Sequence, residues 1–288
     1  MYVITGITGR VGGAAARELL SAGERVRAVV RDLDKAAPWR TLGCETVRAP
    51  MDDAEALTVA FADAEAVFVL PPPDFDPEPG FPAVRERAAA IRTALHRAQP
   101  ARVVSLSTVG AQAAQTNLLS QHTLMEQAFG ELALPVCVLR PAWFLDNCEW
   151  DIAAARNEGR YDSYLHPLDR SIPMVASADV GRAAAQLLRE PADRSRVVEL
   201  EGPQALSPLD IAAALARVLR REVVAQQVPR NEWETRFRAQ GMRHPEPRIR
   251  MLDGFNEGWI DFETAEATRM RGRVDLDRVL SDLLLRAS

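Results

Sequence analysis

Lysine is almost missing from this 288-residue chain: Lys35 is the only one, and arginine supplies the rest of the positive charge. Chemistry that needs a lysine amine anywhere else is excluded. Cysteine is scarce too. Cys44, Cys137 and Cys148 are odd in number, lack C-x-x-C spacing and have no histidine beside them, so neither a disulfide framework nor a metal site is expected. A reducing cytoplasm suits that usage. No apolar run approaches the roughly 18 residues of a membrane-spanning helix, and no secretory signal precedes the first apolar stretch, so a soluble protein is expected. The net charge of −5 provides no basic field, which argues against nucleic acid as the main ligand. Tyrosine is limited to Tyr2, Tyr161 and Tyr164.

What is present begins at the first residues. Tyr2 to Ile4 reads as a short buried strand, and it stops at glycines spaced three apart, Gly6, Gly9 and Gly12. Ala14 to Leu20 follows as helix and Arg25 to Val30 as a second strand, the order of a βαβ unit. Gly6 allows the tight turn out of the strand, Gly9 lets the backbone approach a pyrophosphate without a Cβ in the way, and Gly12 lets the helix pack closely on the sheet. Free N–H groups at the helix start face the anion, and the helix dipole favours it. The G-x-x-G-x-x-G spacing is one residue longer between its first pair than the commonest dinucleotide fingerprint.

The second strand ends at Arg31-Asp32, where a dinucleotide fold faces the adenine ribose. An acid there suits the 2′-hydroxyl of NAD, an arginine the 2′-phosphate of NADP. Arg31 comes first, so NADPH is expected over NADH, with Arg10 or Lys35 as further cations. Asp32 keeps the ribose hydroxyl open as an alternative partner. Glu45 to Ala49 reads as a third strand. Asp53 beyond it caps the helix Ala54 to Phe61, while Asp52 could reach the adenine amino group. Ala66 to Leu70 is apolar throughout, as strands buried on both faces are. It runs into a proline-rich loop, Pro71 to Gly80, expected to pass over the ribose or cover the site entrance. Phe81 to Ala98 then reads as helix and Arg102 to Ser107 as strand. A helix carrying Gln121 to Glu126, the strand Val136 to Arg140 and the turn Pro141 to Asn147 continue the rhythm. Such alternation defines an α/β chain with a Rossmann-type doubly wound parallel sheet, ligands lying across the carboxyl ends of its strands.

Past Trp150 the alternation loosens. Ala178 to Leu188 reads as helix and Val197 to Leu200 as strand. Ser207-Pro208 opens another helix with a cap and a first-turn proline, Val223 to Val228 is a further strand, and helices bearing Trp233, Phe237, Phe255 and Trp259 follow. The expected organisation is a dinucleotide-binding domain over 1–150 and a smaller, mainly helical C-terminal lobe over 151–288, interleaved, with the substrate pocket between them. Trp143, Phe144, Trp150, Tyr161 and Tyr164 suit either stacking on a flat substrate or packing between lobes, with Asn147 as a hydrogen-bonding group.

Four stretches together, Thr5 to Gly12, Val30-Arg31-Asp32, Leu139 to Asn147 and Glu201 to Ser207, resemble the NmrA-like group of atypical short-chain dehydrogenases/reductases, and the likeness covers nearly the whole chain. The resemblance implies pyrophosphate at Gly6, Thr8, Gly9, Arg10 and Val11, the adenosine phosphate at Arg31 and adenine near Asp52. It implies ribose near Leu70 and Pro71, and nicotinamide near Ser107, Pro141, Ala142, Trp143 and Phe144. One departure stands out. Short-chain reductases usually protonate the substrate oxygen with a tyrosine whose pKa is lowered by a lysine four residues later, and neither residue exists here. The corresponding helix offers His122 and Glu126, also four apart and on one face. His122 is the candidate proton donor near neutral pH, with Glu126 orienting it or holding the ribose; a half-exposed helical pair without a catalytic role is the alternative. His96, His166 and His244 have no partner spacing.

Two functions fit. One is an NADPH-dependent oxidoreductase reducing a quinone or similar small electrophilic carbonyl compound by hydride transfer, the cofactor carrying the chemistry. The other is an NADP(H)-binding redox sensor without turnover that presents its helical lobe to a partner; a small-molecule substrate and a homodimer or regulatory protein partner are the expected associations. A sugar-nucleotide epimerase would require the missing tyrosine and lysine.

Overall fold

The computed structural model describes residues 1–263 and 268–286. Its first half runs β1 (Tyr2–Thr5), α1 (Arg10–Ser21), β2 (Val26–Val30), α2 (Ala37–Thr41), β3 (Glu45–Arg48), α3 (Ala54–Phe61), β4 (Ala66–Val69), α4 (Pro82–Ala98), β5 (Arg102–Leu106), α5 (Ser120–Gly130) and β6 (Val136–Pro141). The rest comprises β7 (Trp143–Phe144), α6 (Ile152–Glu158), β8 (Arg160–Ser163), β9 (Ile172–Val175), α7 (Ser177–Arg189), β10 (Arg196–Glu201), β11 (Ala205–Leu206), α8 (Pro208–Leu219), β12 (Val224–Gln227), α9 (Trp233–Ala239), α10 (Glu246–Glu257), β13 (Thr268–Arg271) and α11 (Leu276–Arg286).

The main sheet has eight strands in the order β13-β10-β6-β5-β4-β1-β2-β3, every pairing parallel. Parallel pairing demands helical crossovers and covers both faces, so the central strands are apolar on both sides. Side chains alternate accordingly. Ile4 and Phe68 join the cluster that includes Leu19 and Leu139, whereas Val3 and Val67 join the opposite one with Phe61, Ile91 and Phe129. The chain winds outward in both directions from the β1–β4 neighbourhood, and the crevice outside the carboxyl ends at that reversal is where such sheets hold ligands.

Residues beyond Trp150 are not confined to a separate lobe. β10 and β13 extend the main sheet beyond β6, so strands from the second half of the chain complete it. The remaining strands form small sheets, β11-β9-β7 and β12-β8. Ser207 caps α8 as its sequence announced, in a reciprocal box with Asp210. α7 lies directly on α1, an approach that small residues permit. A Cβ at Gly181 would sit 2.4 Å from the Ala14 Cβ and 2.7 Å from the Val11 carbonyl oxygen.

Candidate functional site

The glycine turn sits at the carboxyl end of β1. Gly6 adopts φ +63°, a left-handed conformation that side chains rarely take, and Leu70 packs on it so closely that a Cβ would lie 2.9 Å from Leu70 Cδ2. Thr5, not singled out from sequence, locks the two strand ends together. Its hydroxyl donates to the Phe68 carbonyl at 3.1 Å and accepts from the Leu70 N–H at 2.7 Å. Only the burial of a polar residue at a strand end could have flagged it. Gly12 works differently from its expected role against the sheet: a Cβ there would meet the Gly6 carbonyl oxygen at 2.4 Å, so it lets α1 close on the turn itself. The start of α1 carries no side-chain cap and no acid in its first turn, which leaves it fit for a pyrophosphate. Thr8 and Gly9 are exposed beside it.

Arg10 is less free than expected. Its guanidinium pairs with Glu149 at 2.7 Å and approaches Asp146 at 3.8 Å, tying the turn to the 3₁₀ stretch Leu145–Asp151. At the end of β2, Arg31 is exposed and has no carboxylate partner among the described residues, while Asp32 accepts from the Asp34 N–H at 3.0 Å. The two residues that competed for the ribose thus differ: Asp32 is engaged in a local turn and Arg31 is available. Lys35 and Asp52 are exposed, and Asp53 caps α3 through the Ala56 N–H at 2.9 Å.

A cavity of about 1120 Å³ opens at the carboxyl ends of the strands. Gly9, Arg10 and Val11 form one end of its lining, Leu70 and Pro71 to Phe75 another wall. The proline loop therefore does border the site. It is pinned from two sides: Gln121 donates to the Asp74 carbonyl at 2.8 Å, and the Asp76 carboxylate accepts the N–H groups of Arg243 at 2.9 Å and His244 at 2.6 Å. Ser107, His122, Pro141, Ala142, Trp143, Phe144, Asn147, Tyr161 and Tyr164 all reach the same cavity. Gly6, Thr8, Gly12, Arg31, Asp52 and Glu126 do not line it. Trp143 meets Phe255 edge to face with centroids 5.0 Å apart, and Tyr164 stacks on Phe237 at 5.0 Å. Trp150 is largely exposed and edge-on to Phe75.

The pairing of His122 with Glu126 is not what the helix spacing suggested. Glu126 receives the Arg140 guanidinium through two bonds, 2.9 Å from Nε and 2.6 Å from Nη2, and the Ser107 hydroxyl also donates to it. A guanidinium outcompetes an imidazole for a carboxylate because it offers a planar fork and is always charged. His122 keeps a bond to the Leu106 carbonyl, while its Nδ1 is buried without a partner. Burial pushes its imidazole below the ordinary value, against the pull of Glu126. That shift disfavours the protonated form of the ring.

Sequence reasoning missed the far wall. Asp151, Asp162, Arg236, Gln240, Arg248 and Phe255 line the cavity from the second half of the chain. Burial, reinforced by the negative charge of Asp162, raises the Asp151 carboxyl to about 7. Among the described residues no group of three or more histidines, cysteines and acids could hold a metal ion, and no helix is long and apolar enough to cross a membrane.

The glycine turn, the reversal point and the adjoining cavity define a Rossmann-type protein whose ligand crevice lies at the strand ends. The profile of the NmrA-like family matches residues 2–246, and the chain belongs to that family. Among similar proteins, an NAD(P)H azoreductase of Xenophilus azovorans is 26% identical over 225 residues, covering 77% of this chain and 75% of that one. Quinone oxidoreductase 2 of Escherichia coli is 24% identical over 247 residues, covering 84% of this chain and 82% of its own. A Citrobacter sp. triphenylmethane reductase complexed with NADP(H) superposes with a TM-score of 0.82 at 20% identity, covering 98% of this chain and 100% of the other.

Proposed function

We propose that this chain is an NADPH-dependent reductase that passes hydride to a quinone or a similar small electrophilic carbonyl compound. The observation that carries the reading is the single cavity that starts at the glycine turn and ends among Trp143, Tyr164 and Phe255. It offers a dinucleotide cradle and an aromatic-walled chamber in continuity. The quinone, azo and dye reductases among the relatives support the same chemistry.

Residues 1–150 would hold the dinucleotide and 151–288 supply most of the substrate wall. Gly6, Thr8, Gly9, Arg10, Val11 and Gly12 suit the pyrophosphate, Arg31 the 2′-phosphate, Asp52 the adenine side, and Leu70 and Pro71 the ribose. Ser107 and Pro141 to Phe144 suit the nicotinamide end. When bound, the cofactor supplies the hydride. The protein orients a flat acceptor between aromatic side chains and excludes water with the proline loop. A quinone takes its protons from water once reduced, so the missing tyrosine and lysine are tolerated, and His122, with a ring nitrogen committed to the Leu106 carbonyl and Nδ1 buried, forms part of the cavity wall beside the acceptor rather than protonating it.

Titration with NADPH and NADH, followed in the same cuvette by a panel of quinones, tests the proposal. Tight NADPH binding with steady loss of reduced-nicotinamide absorbance is expected, and a lower turnover in His122→Phe would place the imidazole at the acceptor. Binding without turnover across the panel would replace the reductase by a dinucleotide sensor.

A further inference from the structure

Four arginines line the cavity, Arg10, Arg87, Arg236 and Arg248. Two are neutralised in place. Arg10 holds Glu149, and Arg236 holds Glu232 at 2.8 Å and Asp162 at 3.3 Å. Arg87, on α4, has no carboxylate among the described residues, but it also lacks any aromatic bed. Arg248, on α10, is the distinctive one. Its guanidinium carbon stands 4.5 Å from the centre of the Phe237 ring, and its Nη1 donates to the Met242 sulfur at 3.7 Å. A thioether is a weak acceptor. The nearby acid on the same helix, Asp253, is held instead by Arg230 at 2.7 Å and Arg250 at 3.6 Å.

Arg248 is thus a half-buried cation with no carboxylate partner among the described residues, beside the apolar cavity walls of Met251, Leu252 and Phe255. Burial lowers its pKa, with only Tyr164 acting in the opposite direction, as expected of a charge withdrawn from water without a counter-charge. Phe237 supports the guanidinium from one side, and guanidinium N–H groups suit a planar or tetrahedral oxyanion. Asp162 does not oppose an incoming anion, since Arg160 and Arg236 both sit 3.3 Å from it.

We propose that Arg248 anchors an oxyanion substituent of the substrate, so that the cavity takes a flat conjugated electrophile carrying a carboxylate, sulfonate or phosphate. This deepens the reductase reading and rests on it for the electrophile, whereas the anion site itself can be tested without turnover.

The probes are naphthalene-2-sulfonate and its uncharged counterpart naphthalene-2-sulfonamide, titrated calorimetrically into the protein saturated with NADP⁺. The sulfonate should bind at least about ten-fold more tightly, the scale of one charge-assisted pair. Arg248→Met should abolish that preference while leaving the sulfonamide affinity unchanged, and Arg248→Gln gives the same comparison if the methionine variant does not fold. Equal affinities in the native protein, or a preference that survives either substitution, overturns the proposal. Menadione reduction by NADPH is measured alongside in native and variant proteins. Its absence from both would sink the reductase reading while the binding result still decided the anion site.

Discussion

Arg140, at the end of β6, clasps Glu126 of α5 fork to fork, with Nη2 2.6 Å from Oε2 and Nε 2.9 Å from Oε1. Arg140 is 5% exposed, so the pair is a buried strut between strand and helix. Glu126 occupies the helix position at which the resemblance to short-chain reductases would put a lysine. A carboxylate neutralised from the next strand stands there instead, and the neighbouring Ser107 and His122 are positioned around it.

Removing the acid leaves Nε and Nη2 of the buried guanidinium without their carboxylate. Glu126→Ala should cost about 3–5 kcal/mol of stability, and Glu126→Gln less, because its amide oxygen still accepts. Urea unfolding midpoints check this. A loss below about 1 kcal/mol would mean that Glu263, already 3.2 Å from Arg140 Nη1, takes over the pairing.

Asp151 makes stability depend on pH in the less usual direction. Its carboxyl is raised to about 7 by burial and by Asp162, against about 3.9 when unfolded. Between those values the native state holds a proton that the unfolded chain has released, so stability falls as pH climbs from about 4 to about 7 and stays reduced above. Asp151→Asn should be the more stable protein at pH 8, by on the order of 2 kcal/mol after allowing for solvent reaching the carboxyl from the cavity. Near pH 4 the two should coincide. Thermal unfolding across that range measures the difference. His122 slopes the other way, since its lowered pKa makes the native state lose stability as pH drops below about 6.5.

Arg31 should govern the choice of cofactor. Arg31→Ala is expected to weaken NADPH binding about ten-fold or more and leave NADH binding nearly unchanged, with folding intact because the side chain is exposed. Equilibrium titration of both cofactors decides it. Equal losses for the two would remove the 2′-phosphate from this position.

The α1–α7 contact has no room for one methyl group. Gly181→Ala would push a carbon to 2.7 Å from the Val11 carbonyl oxygen, backbone that cannot swing aside, so a loss of about 1–3 kcal/mol is expected from overpacking. The lowered unfolding midpoint should come with weaker dinucleotide binding, because Val11 belongs to the glycine turn.

The parallel sheet was legible because its strands are short, apolar and punctuated by glycine and proline, and the periodicity that marks a strand is local. The glycine turn and the Asp53 and Ser207 caps could be read for the same reason. Partnership across the fold could not. Glu126 lies four residues from His122 yet binds Arg140, and Asp32 lies beside Arg31 yet turns back onto its own backbone; in each case the winner is set by geometry that spacing does not encode. β13 escaped notice because Thr268–Arg271 is polar and mostly exposed at the sheet edge, and Arg248 because an arginine among many carries no signal until its missing counter-charge is seen.

The sheet order also sets a timetable for the newly made chain. β6 leaves the ribosome with one edge bare, and its partner β10 follows only after roughly sixty more residues, about 3–12 s of synthesis at ordinary rates. During that interval a row of unsatisfied N–H and C=O groups on an apolar strand is open to a neighbouring nascent chain. The glycine turn is made before β10, but the sheet that shelters it is completed only from the far side.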